Sequence, residues 1–468
     1  MLRFLLPLLP LIACDNSKEP DLGPATTPTT IDYDPDSPLT ASEIVTVSID
    51  ENVLSNRVRV NTSKSATAEV RFGPSGEDYP WKVTGDAATE HDLLVIGMRA
   101  ETDYEFLVVL TADDDGEVIE LEPITWTSGR PPSHVAKADV LIHDPTQAAD
   151  GWTLMDLNNP EAGVATVAMF DMEGYPVWYH VLPDHNVNAL DVSLTWRNTI
   201  LAGGSVDKGE RPMEISLDGS YRWAGPEQRG YSSNGYMHHH IELLASGNYL
   251  TLEKVFVDGV RGDVIREMTP DLSSAWSWNA FDWLDPNWDD PDWTHSNWVH
   301  ISDDGFVYLS VRHESAIYKI DYGTGEVLWR LGEGGDFALT AGEWFYEQHA
   351  PSVLEGGGKI LVYDNAGDNG VARVVEYALD EQAMTAEQVW VYGGDNEEGW
   401  LSDYWGDADR LSNGNTLITA GANDVNSVFE VSADGELVWW LQHANDGGDD
   451  DTSMYRSERI TPPLVEPL

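Results

Sequence analysis

Apolar and polar positions alternate with a period of two along most of the chain after residue 41. In residues 41–130 the runs EIVTVSID, NRVRVNTS, ATAEVRFGP, DLLVIGM, DYEFLVVLTAD and ITWTSG are each about one strand long, with turn residues between them. Short alternating strands at this interval predict a small β-sandwich.

Residues 135–468 carry a different pattern, in which a turn followed by a strand ending in Trp recurs. FDMEGYPVW ends at Trp178, ISLDGSYRW at Trp223, MTPDLSSAW at Trp276, YGTGEVLW at Trp329, TAEQVW at Trp390 and VSADGELVW at Trp439. The intervals are 45, 53, 53, 61 and 49 residues. Between these marks lies a second one, a Gly or Asn turn before an apolar strand, as in RNTILAGG, SGNYLTLE, GGGKILVYD and NGNTLITAG. A period near 50 with several strands per unit is the pattern of a β-propeller, and six marks imply six blades. The expected fold is therefore all-β, a six-bladed β-propeller at 135–468 behind a smaller domain at 41–130. Tyr104, after a turn and before an apolar run, is placed like the tyrosine corner of fibronectin-III-like sandwiches. No chemistry is expected in that domain, which reads as a spacer or an oligomer contact, leaving a homodimer open.

Charge narrows the partners. Lys and Arg total 26 against 81 Asp and Glu, a formal net charge of −55. Nucleic acid is not expected as a partner, because phosphate binding needs a basic face. Docking on anionic lipid by charge is disfavoured for the same reason. The N-terminus begins with Arg3 and an apolar run from Phe4 to Ile12, the shape of a secretory signal peptide at 1–13. Leu11-Ile12-Ala13-Cys14 resembles the lipobox of bacterial lipoproteins, so Cys14, the only cysteine, is the expected lipidation site. Residues 14–40 are rich in Pro, Thr and Asp and read as a flexible tether. The expectation is an exported protein, lipid-anchored on the periplasmic side of a membrane or at the cell surface.

Candidate chemistry lies where polar residues interrupt the repeat. MHHHIELL holds His238, His239 and His240; on a regular strand, neighbours face opposite ways and cannot all ligate one metal. With no HExxH and no clustered Cys, no metal centre is expected. PDWTHSNWV places His295 and Asn297 two apart, LSVRHESAIYKID sets Arg312 beside an apolar run, and FYEQHAPSVL opens a strand with His349. Together they describe imidazoles and a guanidinium in an acidic protein, an island of positive charge suited to an oxyanion. FDWLDPNWDDPDWTHSNW adds Trp283, Trp288, Trp293 and Trp298, read either as an aromatic wall for phenols or as loop packing. Its Asp285, Asp289, Asp290 and Asp292 leave a structural Ca²⁺ open, though the loop lacks an EF-hand glycine.

These segments, in this order, resemble the arylsulfate sulfotransferase family. The matching stretches are the paired His before a Gly-Asn strand, W-x-H-x-N, S-x-R-H-x-S-A-I-x-K-I and Q-H, with TGEVLWRLG (324–332), VYDNAG (362–367), VEYALDE (375–381) and RLSNGNTLITAG (410–421). The resemblance covers most of residues 40–460. It implies PAPS-independent transfer of a sulfuryl group from a phenolic sulfate to a phenol through a sulfohistidine, with no cofactor. His349 is then the implied nucleophile, and His295 and His239 donors to the sulfuryl group or leaving oxygen. Arg312 is the implied neutraliser of the sulfuryl oxygens, and Asn297 a residue that holds a partner. The family places an acid after the paired His, and this chain has His240, so His238 is the fallback for His239. With Trp293 and Trp298 it completes the expected substrate contacts. A non-catalytic propeller that holds an anionic or aromatic ligand, or a hydrolase using water, would use the same pocket.

Overall fold

The computed structural model describes residues 27–31, 33, 37–159, 164–182, 187–206, 211–226, 234–302, 304–367, 371–394, 402, 404–421, 426–443 and 454–468. The expected signal peptide, Cys14 and residues 15–26 of the tether lie outside them.

Six sheets of four or five strands form the propeller, and the single α-helix among the described residues is the turn Ala280–Trp283. The innermost strands are Ser457–Ile460 in blade 1, Val187–Leu194 in blade 2, Met237–Leu243 in blade 3, Ser296–Ile301 in blade 4, His349–Leu354 in blade 5 and Asp407–Arg410 in blade 6. Blade 1 is closed from the far end of the chain: Ser457–Ile460 pairs antiparallel with Trp152–Asn159. Blade 6 gains Asp139–His143 on its outside, beside Leu437–His443.

The recurring Trp has a mechanical reason. Each blade's fourth strand carries it, and in blades 1, 3, 5 and 6 its indole N–H reaches into the outer hairpin of the next blade, whereas Trp223 and Trp329 are buried without such a bond among the described residues. Trp178 Nε1 donates to Leu217 O (2.8 Å), Trp390 Nε1 to Ala433 O (3.0 Å) and Trp439 Nε1 to Met172 O (3.1 Å). In these blades a large ring fills the gap to its neighbour while its one polar atom is satisfied, a combination whose truncation costs about 3–5 kcal/mol. In blade 3 the mark shifts: Trp278, not Trp276, makes this bond, to Gly325 O at 2.9 Å. Trp276 stacks on Tyr322 with ring centroids 4.8 Å apart. Most of the core lies between adjacent blades, as in the cluster of Trp298, Ile317, Trp329, Val362 and Tyr377.

The smaller region differs from the expected pair of stacked sheets. Its strands are hydrogen-bonded into one seven-stranded sheet in which the 19-residue strand Asn56–Pro74 pairs with Val45–Ser48, Trp81–Val95 and Asp103–Ala112. Arg99 N donates to Tyr104 Oη at 2.8 Å, the bond back to upstream backbone that marks a tyrosine corner. The sheet is more than a spacer: Val58, Phe72 and Met98 share one buried cluster with Leu154 and Trp178 of blade 1 and Ile200 of blade 2. Glu466–Pro467 returns from the propeller to pair with Trp81–Val95.

Candidate active site

Strand polarity brings the candidate residues to one end of the channel, where the inner strands begin. At that end the inner strands of blades 3, 4 and 5 all break register: between His238 and Ile241, Ser296 and Trp298, and His349 and Ser352. His239 (φ 59°), His295 (φ 42°) and Ala350 (φ 38°) sit in the left-handed region, which costs a non-glycine residue about 1–3 kcal/mol. The bulges re-aim side chains. His238 and His239, expected to point apart, have their Nδ1 atoms 2.7 Å from each other. His240 turns away: its Nδ1 lies 2.9 Å from both Asp191 Oδ2 and Arg456 Nη1.

His239 and His295 meet with ring centroids 5.3 Å apart, and Tyr455 bridges His239 and His349 at 6.2 Å from each. Asn365 fixes the tautomer of His349. Its Nδ2 donates to Ser402 O (3.1 Å) and Trp405 O (2.9 Å), so its Oδ1 faces His349 Nδ1 at 2.7 Å and must accept. His349 Nε2 is therefore the lone-pair nitrogen. His295 is held alike, its Nδ1 2.7 Å from Asp292 Oδ2. Asp292 is paired with Arg261 at 2.9 Å.

Burial governs the charge state of this ring. It pushes His349 down to about 3 against the opposing bond to Asn365, with Arg312, His295 and Arg456 adding to the fall. Burial likewise takes His238 to about 4 and holds His239 well below the ordinary imidazole range. Burial would raise Asp263, but Arg261 and the bonds from His238 and Thr294 override it and keep it well below the usual carboxylate range. In the expected island of positive charge the His349, His238 and His239 imidazoles are thus neutral, and its cations Arg312 and Arg261 already face Glu347 and Asp292.

Several assignments move. Asn297 does not reach for a ligand with its amide nitrogen: it is fully buried, and its Nδ2 donates to Gln348 O at 2.6 Å, anchoring the backbone just before His349. His238 is enclosed between Asp263 and His239, so it does not serve as the substrate-facing fallback. Trp293 is buried against Phe281, its Nε1 donating to Glu314 at 2.6 Å, and is not part of an aromatic wall. Trp298 lies further along the channel, 5.9 Å from the His240 ring, in the wall of a cavity of about 480 Å³. In the loop before blade 4, Asn287 and Asp290 cap backbone N–H groups of Asp289 and Asp292. Asp292, His295 and His313 bring donor atoms within 4.8 Å of one another, a set of metal-ligand types that the sequence reading did not assemble. Arg261 on Asp292 opposes a cation there. Asn365, Asp263, Tyr455 and Glu347 were not singled out from the sequence, although Asn365 lay inside the quoted VYDNAG and Glu347 inside FYEQHAPSVL; Asp292 was read only as one of the loop acids for a Ca²⁺.

A channel mouth with three convergent imidazoles, an anchored guanidinium and no nucleotide-binding loop describes a propeller enzyme for a small anionic group. Residues 139–452 match the family described as Arylsulfotransferase (ASST), and the chain belongs to that family. It is a family of transferases, so this protein is a PAPS-independent aryl sulfotransferase with a phenolic sulfate as donor and a phenol as acceptor. No curated protein matches the chain. Among solved structures, a Bacteroides caccae protein of unknown function is similar at 16% identity, covering 66% of this chain and 100% of that one, with TM-score 0.44. Streptogramin B lyase follows at 10% identity, 70% and 100% coverage and TM-score 0.37. Virginiamycin B lyase from Staphylococcus aureus stands at 10%, 74% and 92%, and 0.35. At these scores they carry no argument about this chain.

Proposed function

We propose that the sulfuryl group passes through a covalent sulfohistidine at His349, in two half-reactions. His349 Nε2 attacks sulfur in line as the S–O bond to the donor phenol breaks; the acceptor phenol then attacks sulfur and returns the electron pair of the N–S bond to Nε2. A neutral imidazole suits an anionic sulfur centre because it brings no like charge. The observation that carries this reading is the Asn365 clamp, which leaves Nε2 free on a buried imidazole that stays unprotonated at neutral pH. Arg312, held by Glu347, supplies charge to the sulfuryl oxygens, and His295 and His239 serve the leaving and attacking oxygens. The steps balance without a cofactor.

Intact-mass spectrometry after brief mixing with p-nitrophenyl sulfate, without acceptor, tests it. The expected result is a gain of one sulfuryl group that phenol discharges and that His349→Ala does not form. No adduct and no nitrophenol from the wild type would move the weight to a ligand-binding propeller.

The reading includes export and a lipid anchor at Cys14, supported by the leader pattern of residues 1–14. Incorporation of labelled palmitate that disappears in Cys14→Ser is the expected outcome.

A further inference from the structure

Asp263 and His238 stand directly behind His239, and the direction of every hydrogen bond between them follows from one carboxylate. Asp263 Oδ2 accepts from Thr294 Oγ1 (2.7 Å) and Ser296 N (2.6 Å), and Arg261 Nη2 lies 3.5 Å from Oδ1. A group so surrounded stays ionised and accepts only. His238 Nε2–H therefore donates to Asp263 Oδ1 at 3.1 Å, which leaves a lone pair on His238 Nδ1. One arrangement then remains for the 2.7 Å contact between the two Nδ1 atoms: His239 donates and His238 accepts. His239 presents a bare Nε2 to the channel. A proton arriving there is stabilised through the shared Nδ1–H–Nδ1 bond and the carboxylate behind it. The other charged or titratable groups facing the pair are Arg261 and Lys254 in blade 3, His295 with Asp292 ahead of blade 4, His349 in blade 5 and Tyr455 ahead of the blade 1 inner strand.

Resting on the covalent reading above, we propose that Asp263 and His238 are positioning residues that let His239 Nε2 take up a proton once the anionic donor is bound, give it to the departing phenolate oxygen in the first half-reaction and recover one from the acceptor phenol in the second. The acceptor phenol gives its O–H proton to His239 Nε2 as its oxygen bonds to sulfur and the N–S bond breaks. That proton returns to solvent when the sulfated product leaves; in the following turnover the negative charge of the bound aryl sulfate draws a proton from solvent onto His239 Nε2, and it passes to the departing phenolate oxygen as the donor S–O bond breaks and the His349 Nε2–S bond forms. One proton is taken and one returned, and no outside acid or base is consumed. Asp263 keeps its negative charge throughout, because Thr294, Ser296 N and Arg261 hold it as a carboxylate.

The role shows itself in leaving-group dependence. p-Nitrophenolate departs without a proton far more readily than 4-methylphenolate, whose parent phenol has a pKa near that of tyrosine, about 10. Steady-state turnover is measured for wild type, His238→Gln and Asp263→Asn with both aryl sulfates, alongside thermal melting. Removing assisted protonation is expected to slow 4-methylphenyl sulfate about 100-fold and p-nitrophenyl sulfate about tenfold less than that. Equal losses with both donors, or no loss, would overturn the relay; should Asp263→Asn melt early, His238→Gln decides alone. Absence of a wild-type sulfo adduct by mass would sink the covalent intermediate instead, and the leaving-group comparison would still decide the relay.

Discussion

In blades 3, 4 and 5 the inner strand breaks register at the end where its histidines lie, whereas the short inner strands of blades 6 and 1 pair without interruption. The bulged group gathers imidazoles. The regular group keeps strict alternation, so Asp407 and Asp409 share a face and join Glu458, Asp191 and Arg456 in the wall of the same cavity. Burial drives both groups toward their neutral forms, from opposite sides of the pH scale. It lowers His349, His238 and His239, and it raises Asp407 well above the usual range, with the charge of Asp409 adding, and Glu458 to about 7. A chain of net charge −55 thus keeps much of the acid behind its reaction centre uncharged or paired. The exception is Arg456, whose Nη1 holds Asp191 Oδ1 at 2.8 Å.

Arg456→Leu breaks the regular side of this contrast. It strands a buried carboxylate, so a loss of about 3–5 kcal/mol is expected, read as a lower urea midpoint. Asn365 breaks the bulged side. Asn365→Ala frees the wrong tautomer of His349, and kcat is expected to fall on the order of 100-fold. Asn365→Asp puts a carboxylate behind the nucleophile and raises its pKa, so activity should become acid-sensitive near the ordinary imidazole value of about 6.5. In the wild type the sign is opposite. His349 takes up a proton only near pH 3, so the nitrophenol burst should stay level from about pH 8 to about pH 5. A fall centred near 6.5 would contradict the buried neutral imidazole. The smallest effect concerns the whole body: kcat/KM for an anionic donor should rise on the order of threefold with moderate salt, as screening removes repulsion. A flat or falling titration would show that the local ring outweighs the distant acids.

The blade count was legible because the Trp that marks each period spans to the neighbouring blade, and such a contact must recur once per blade. The misplaced mark at Trp276 shows the limit: two Trp stand two apart on one strand, and only packing tells which one bridges. His239, His295, His349 and Arg312 were legible as polar interruptions of apolar repeats. Their supports were not: Asp263 is one acid among 81 with nothing in its local pattern to separate it, and Asp292 stood out only as one of several loop acids suited to a Ca²⁺. The strand-alternation argument for His238 and His239 failed for a physical reason, since it assumed a regular strand where a bulge stands. Asn297 was read as a ligand residue because its burial is a tertiary property; its carboxamide serves the backbone.

Blade 1 is sealed by Ser457–Ile460 lying against Trp152–Asn159, and Tyr455 and Arg456 come immediately before that seal. Asp156 binds their amide nitrogens across 299 and 300 residues of sequence. A closure of such high contact order is slow and comes late in folding. During synthesis the five blades upstream can assemble while the ring remains an open crescent, with His349 in place but without Tyr455 or Arg456 beside it. Competence therefore arrives in one step with ring closure, and a seam that reopens locally removes that competence before the other blades melt.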